Sequence, residues 1–375
     1  MYDHFLEHEP IYFDEKNQLW EVFRYDDIVT ITRDTESFIN AEGVRPGIPG
    51  DPAMLYQDGE QHKQQRALVS SGFTPRQMRK MEDRAREIVK ELVDEMLDQD
   101  EVDLVEDLAA VLPVRLICDM LGTPDDKQES VREWIGAMIP GGQGPDYVTD
   151  EVNDAFAQFV MHHEEMVQAR LAAGCTGSDI LTIWMNAEIN GQKLDESQLL
   201  FEHALLNAGG AETTRNAIAG GLERLSNDPK QYDALCEEPS FIPNAVEEII
   251  RWVCPFVNMY RTAACDYELH GKVIKEGQQV GLTYAAANRD PRKFEDPHTF
   301  DIFRDFSKGA KHLSFGLGPH FCLGASLARL EVRLCLEEMT RRVKTIRIPE
   351  GRAVEYMSSS FTRGLAKFPA VLEAR

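Results

Sequence analysis

Between residues 74 and 252 apolar side chains recur every three or four positions, as in the runs MEDRAREIVKELVDEMLD and DAFAQFVMHHEEMVQARL. That period lays an apolar stripe along each helix and predicts a body of packed amphipathic helices. Shorter alternating or β-rich pieces at 11–13, 19–23 and 267–282 predict strands. The expected fold is mainly α with a smaller β part, a single domain over 1–375. It should be helix-rich over about 74–252 and 322–345, and β-containing over about 10–25, 255–285 and 350–372. No repeat, low-complexity tract or interdomain linker interrupts it.

One helix is expected to be very long. Asp195, with Gln198 three residues on, makes a capping box, and the helical pattern stops at the sequence SNDP, so the helix should run over about 195–227. At 1.5 Å per residue that is roughly 50 Å, enough to cross the whole body. Gly209 and Gly210 stand in its middle, where each costs about 1 kcal/mol relative to alanine. Either a packing notch or the close approach of a flat ligand would compensate. Glu212 and Thr213 follow directly.

Near the C-terminal end, the stretch FGLGPHFCLGASLARLE places Cys322 among Gly316, Gly318 and Gly324 at the start of a helix. A lone cysteine at a helix start can be a plain buried thiol. Here the glycines allow the chain to turn tightly, and backbone amides with the positive end of the helix can hold a thiolate, which is what a metal-ligating sulfur requires.

Composition narrows the class. A chain of 375 residues can bury a cofactor and a substrate cavity. Its 7 cysteines are scattered, with neither a CxxC pair nor a CxxCH site, which fits a reducing compartment. The acidic start MYDHFLEHEP and the lack of any long uncharged apolar run predict no signal peptide and no membrane anchor, hence a cytoplasmic location. A formal net charge of −24 argues against nucleic acid as a partner.

Phe315, Gly316, Gly318, His320, Cys322 and Gly324, as spaced here, resemble the haem-binding loop of the cytochrome P450 family, and the likeness extends over about 12–369. It implies a cytochrome P450 fold with non-covalent haem b between the long oxygen-binding helix and the Cys-loop helix, its iron ligated by Cys322. GGAETT is similar to the family's oxygen-binding signature, which lies at a local distortion of the helix. By that resemblance Glu212 is the acid of a proton relay and Thr213 the alcohol beside bound oxygen. NAVEEIIRWVCP resembles the ExxR signature, which gives Glu248, Arg251 and the later Arg304 a structural role. Family-matching positions around the macrocycle are His62, Arg66, Gly209, Arg261, Phe315, His320 and Gly324, with His312 a weaker candidate for the propionates. Gly59 and Glu60 stand where the family usually has prolines.

The resemblance implies a monooxygenase that activates O2 with two electrons and hydroxylates a small molecule. Because no flavin or iron–sulfur segment is present, the electrons are expected from a separate ferredoxin and its ferredoxin reductase. Lys63, Arg76, Arg79, Lys80, Lys308 and Lys311 form the expected docking patch. Substrate contacts by analogy are His203, Asn207, Ala208, Val257, Met259 and Phe361 with Ser360, a mixed lining that suits a mostly apolar molecule. The strings GGAETTRN and VNMYRTAACDYELHG look most like bacterial sterol and lipid oxidisers, so a steroid or long-chain lipid is expected. The alternatives are a tailoring oxidase of a terpenoid or polyketide pathway and, in another class, a haem-binding sensor or carrier without turnover.

Overall fold

The computed structural model describes residues 2–375, apart from the side chains of residues 75 and 76. The predicted long helix is present as Glu196–Ser226. Asp195 caps it by accepting from the Gln198 amide, and the Gln198 side chain accepts from the Asp195 amide in return. Its flanks are buried nearly all round, among them Leu199, Ala217, Ile218, Ala219, Leu222 and Leu225 of the main core. Such a helix needs packing on every side. A Cβ on Gly210 would lie 2.6 Å from Ile117 Cδ1 on the helix Val111–Leu121. Further along, Cβ atoms on Gly220 and Gly221 would collide with Val253 and Ile249 of the helix Ile242–Val253. Gly209 is different: a Cβ there would meet nothing within 4 Å. Of the two readings of the glycine pair, the packing notch therefore fits Gly210 and the open approach fits Gly209.

The helices Pro75–Leu97, Asp150–Ala172 and Ala325–Arg342 fill out the body. Helices Tyr2–His8, Tyr25–Arg33 and Gly59–Ser70 lie before the expected helical stretch. A five-stranded sheet has the order Ile11–Asp14, Leu19–Val22, Gln279–Leu282, Met259–Ala263, Phe38–Ile39, with only the Leu19–Val22 and Gln279–Leu282 pair parallel. The last long helix ends at Arg342, earlier than expected, because the alternating Val343, Thr345 and Ile346 continue as a strand, Val343–Arg347, beside Pro369–Ala374. Among the described residues no helix is long and apolar enough to cross a membrane.

One buried network fixes the segment that leads to Cys322. Arg251 holds both Glu248 oxygens at 2.7 Å, and Arg304 Nε adds a 3.1 Å bond to Glu248 Oε2. Arg251 also donates to the Asn288 carbonyl at 2.8 Å. Asn288 in turn accepts from the Leu313 amide at 2.7 Å and donates to Ser314 Oγ at 2.8 Å. Glu248, Arg251 and Asn288 are each 0% exposed, and nearly every polar group here is paired, as burial of charge demands.

Candidate active site

The largely apolar cavity that receives Cys322 is walled by the loop 314–324, the start of the helix Ala325–Arg342 with Glu331, the long helix, the helix Gly59–Ser70 and the strand Met259–Ala263, among other segments. Cys322 and Gly209 both line it, as do Thr213, Phe315, Gly316, Gly324, His62, Arg66, Arg261, His320 and Met259. The sequence assigned these residues to one site, and the fold brings them together.

The loop is shaped by Gly316 and Gly318, both left-handed at φ +66° and +69°, a conformation that side-chain-bearing residues rarely adopt. Gly324 is not of this kind. It stands at φ −80° before the helix Ala325–Arg342, and a Cβ on it would make ordinary contact with Cys322 Sγ at 4.0 Å. The Cys322 amide donates to the Phe315 carbonyl at 2.9 Å, which closes the loop. Burial pushes the Cys322 thiol up, and this outweighs the Gly324 and Ala325 amides and the Arg66 and Arg329 charges that favour the thiolate. Cys322 itself is exposed to the cavity, where a bound cation would favour the thiolate further. Arg329 also stacks over Phe315 at 4.5 Å.

On the side wall, His62 and His320 pack with ring centroids 4.1 Å apart and planes tilted by 35°. Burial and the neighbouring positive charges push His62 down to about 4, and burial pushes His320 down as well. His62 Nε2 is buried without a partner. Arg66 donates to the Phe321 carbonyl at 2.6 Å and Arg261 to the Tyr260 carbonyl at 2.7 Å, and neither is paired with a carboxylate among the described residues. An orphaned imidazole nitrogen and two unneutralised guanidinium groups beside an apolar cavity fit the propionates of a haem, and the bare face at Gly209 fits its ring. One anion was missed: Asp58 lies 3.8 Å from His320. Burial opposes its ionisation, yet His320 and the Ala41 and Asn40 amides hold it below the usual carboxylate range.

Glu212 and Thr213 part company. The helix runs unbroken through them, without the distortion the family signature implies, and the Thr213 hydroxyl donates back to the Gly209 carbonyl at 2.7 Å. Successive residues on a helix diverge by about 100°. Glu212 therefore lines a second cavity of about 410 Å³, with Glu106, Arg132, Glu133, Arg215 and Ser359. Its carboxylate accepts from Arg215 and Asn216, each at 3.0 Å, but burial prevails and raises its pKa.

Several expected contacts are corrected. His203 is 0% exposed and meets His163 across 2.9 Å, Asn207 donates to the His203 carbonyl, and Ala208 packs with Val114, Phe159 and Ala211. None of the three reaches the Cys322 cavity. Val257 packs in the core around the five-stranded sheet, and Phe361 stacks on Phe256, which is the cavity-lining ring of that pair. His312 is turned to Glu247 at 3.2 Å, away from the propionate region. The long helix presents Glu202, Leu205 and Leu206 to the cavity instead. These lie seven, four and three residues before Gly209, so setting the helical phase by that glycine would have found them.

Residues 137–362 match the family described as Cytochrome P450. The chain is 33% identical over 365 residues to the steroid C26-monooxygenase of Mycolicibacterium smegmatis, covering 97% of this chain and 90% of that protein. It is 33% identical over 375 residues to the methyl-branched lipid omega-hydroxylase of Mycobacterium tuberculosis, covering 94% and 84%. Among solved structures it superposes on CYP109E1 from Bacillus megaterium in complex with testosterone with a TM-score of 0.88 at 28% identity, covering 99% of this chain and 98% of that one.

Proposed function

This chain belongs to the cytochrome P450 family of monooxygenases, and on that premise we propose that it hydroxylates a mostly apolar small molecule, a steroid or long-chain lipid, at a haem b held by Cys322. The observation that carries the reading is the convergence of the Cys322 loop, the bare Gly209 face and the unneutralised Arg66 and Arg261 on one apolar cavity. Thiolate-ligated haem supplies the cleavage of bound O2.

The protein's own residues do the rest. Cys322 Sγ ligates the iron, supported by the Gly324 and Ala325 amides. Arg66 and Arg261 neutralise the propionates while His62 Nε2 and His320 hydrogen-bond them. The Thr213 hydroxyl, released from the Gly209 carbonyl, holds a proton toward the cavity. Glu212 collects protons from the second cavity, where burial raises its pKa and so favours its holding a proton. The apolar walls exclude water from the reacting carbon. Names of relatives that oxidise steroids and branched lipids support the substrate class.

Electrons come from a ferredoxin and its reductase. Lys63, Arg79, Lys80, Lys308 and Lys311 are exposed, as a docking patch requires; the side chain of Arg76 lies outside the described residues. Lys63 and Lys308 are partly neutralised by Glu60 and Asp305. Charge reversal at Lys80 should then slow reduction by ferredoxin more at low salt than at high salt. The decisive experiment is turnover of a steroid and lipid panel with NAD(P)H, ferredoxin and reductase, with product identified by mass. Hydroxylated product supports the reading; a haem protein that binds panel members yet forms no product would make it a carrier or sensor.

A further inference from the structure

A carboxyl group sits in the wall of this apolar cavity where nothing assigned so far uses it. Glu202 is 1% exposed and lines the cavity from the long helix. Its Oε1 accepts from the Met54 amide at 2.5 Å and from Gln65 Nε2 at 2.8 Å. Gln65 is itself held by the Pro52 carbonyl and by Gln198, so Oε1 is fixed. No described residue donates to Oε2. Oε2 is thus left to whatever donor the cavity receives.

Position says what that could be. Glu202 precedes Gly209 by seven residues, two turns of helix, so the two lie within about 20° of one face and about 10 Å apart along it. Leu205 and Leu206 fill the interval. From Gly209 toward Glu202 the wall thus reads as open face, apolar stretch, hydrogen-bond acceptor. We propose that Glu202 Oε2 is a specificity anchor that takes a hydrogen bond from an aliphatic hydroxyl of the substrate, two helical turns along the wall from the open face at Gly209. An alcohol suits the site better than an ammonium, because a hydroxyl can pair with the carboxyl in either protonation state. The inference rests on the reading of this cavity as the substrate chamber and adds the polar feature that an otherwise apolar substrate must carry.

The test uses the haem-loaded enzyme and a probe whose seating does not depend on the natural substrate. 1-(ω-Hydroxyalkyl)imidazoles and the matching 1-alkylimidazoles, in a series of increasing chain length, coordinate iron through the imidazole and send the tail into the cavity. Binding is read from the Soret shift at about pH 8.5, where Glu202, pushed up by burial to about 7, is ionised. The other charged group felt at Glu202 is Asp51, which is held at about 6 and is ionised there too.

At the matching length the wild type should bind the hydroxyl-tailed probe about tenfold or more tighter than its alkyl twin. Glu202→Leu should erase that preference. Glu202→Gln keeps an oxygen for Met54 and Gln65 while turning an NH2 to the cavity. It should therefore lose the wild-type preference for 5α-androstan-3β-ol over 5α-androstan-3-one, since both oxygens can accept from that NH2. An unchanged hydroxyl preference in both variants, each with an unaltered reduced-CO spectrum, would overturn the proposal. If the imidazole series behaves as stated and neither androstane derivative binds, the anchor stands and the steroid reading falls.

Discussion

The Glu248 network and the wall of the Cys322 cavity both bury charge, and they finish the task differently. Around Glu248, Arg251 and Arg304 the carboxylate is matched by two guanidinium groups and an amide, and the spare donors go to carbonyls of the neighbouring loop. Around the cavity, His62 Nε2 and Glu331 Oε2 have no partner, Glu202 uses one oxygen, and Arg66 and Arg261 meet only carbonyls. Closed polar networks hold a fold, while polar groups left open in one place point to what the site receives.

The largest effect that can break this contrast is on folding. Arg251→Leu strands Glu248 in the core and should cost about 3–5 kcal/mol, read by urea unfolding or, below the stability limit, by loss of soluble protein. Near-wild-type stability would erase the distinction. Cys322→Ala should do the opposite: similar urea stability of the haem-free protein, with loss of the red-shifted Soret band of the reduced CO complex. A retained band would place the ligand elsewhere.

A pH series sharpens the comparison. The folded-state pKa of Glu202, about 7, lies above its ordinary 4.5, so its contribution to stability is complete below about 4.5 and is lost as pH rises through about 7. The unfolding free energy of wild type relative to Glu202→Gln should therefore fall by about 3 kcal/mol across that window. A difference independent of pH would show that this carboxyl ionises freely in the folded state. The smallest change in stability is expected for Thr213→Ala, which removes only a hydroxyl bonded back to its own helix. Its effect belongs to chemistry: more NAD(P)H consumed per hydroxylated product, with the excess recovered as peroxide, at nearly unchanged unfolding midpoint.

What could be read from the chain follows the range of the interaction. The N-terminal capping box of the long helix, the Glu248–Arg251 spacing and the turn-forming Gly316 and Gly318 before Cys322 are local patterns, and the structure has each where the pattern puts it. The pairing of Glu202 with Gln65, of Asp58 with His320 and of Asn288 with Leu313 joins distant segments, and no window of sequence shows it. That His203, Asn207 and Ala208 lie away from the Cys322 cavity has another cause. A helix buried on nearly every side carries no polar face to reveal its rotation, and only Gly209 marks its open side.

The divergence of Glu212 and Thr213 into separate chambers has a consequence for traffic. One peptide unit divides the two residues, and the helix backbone is continuous there, so Glu212 lines one cavity and Thr213 the other. Charge can pass between them by the turning of a carboxyl and a hydroxyl. In the proposed relay the chain would thereby keep the path of protons apart from the chamber that holds the substrate.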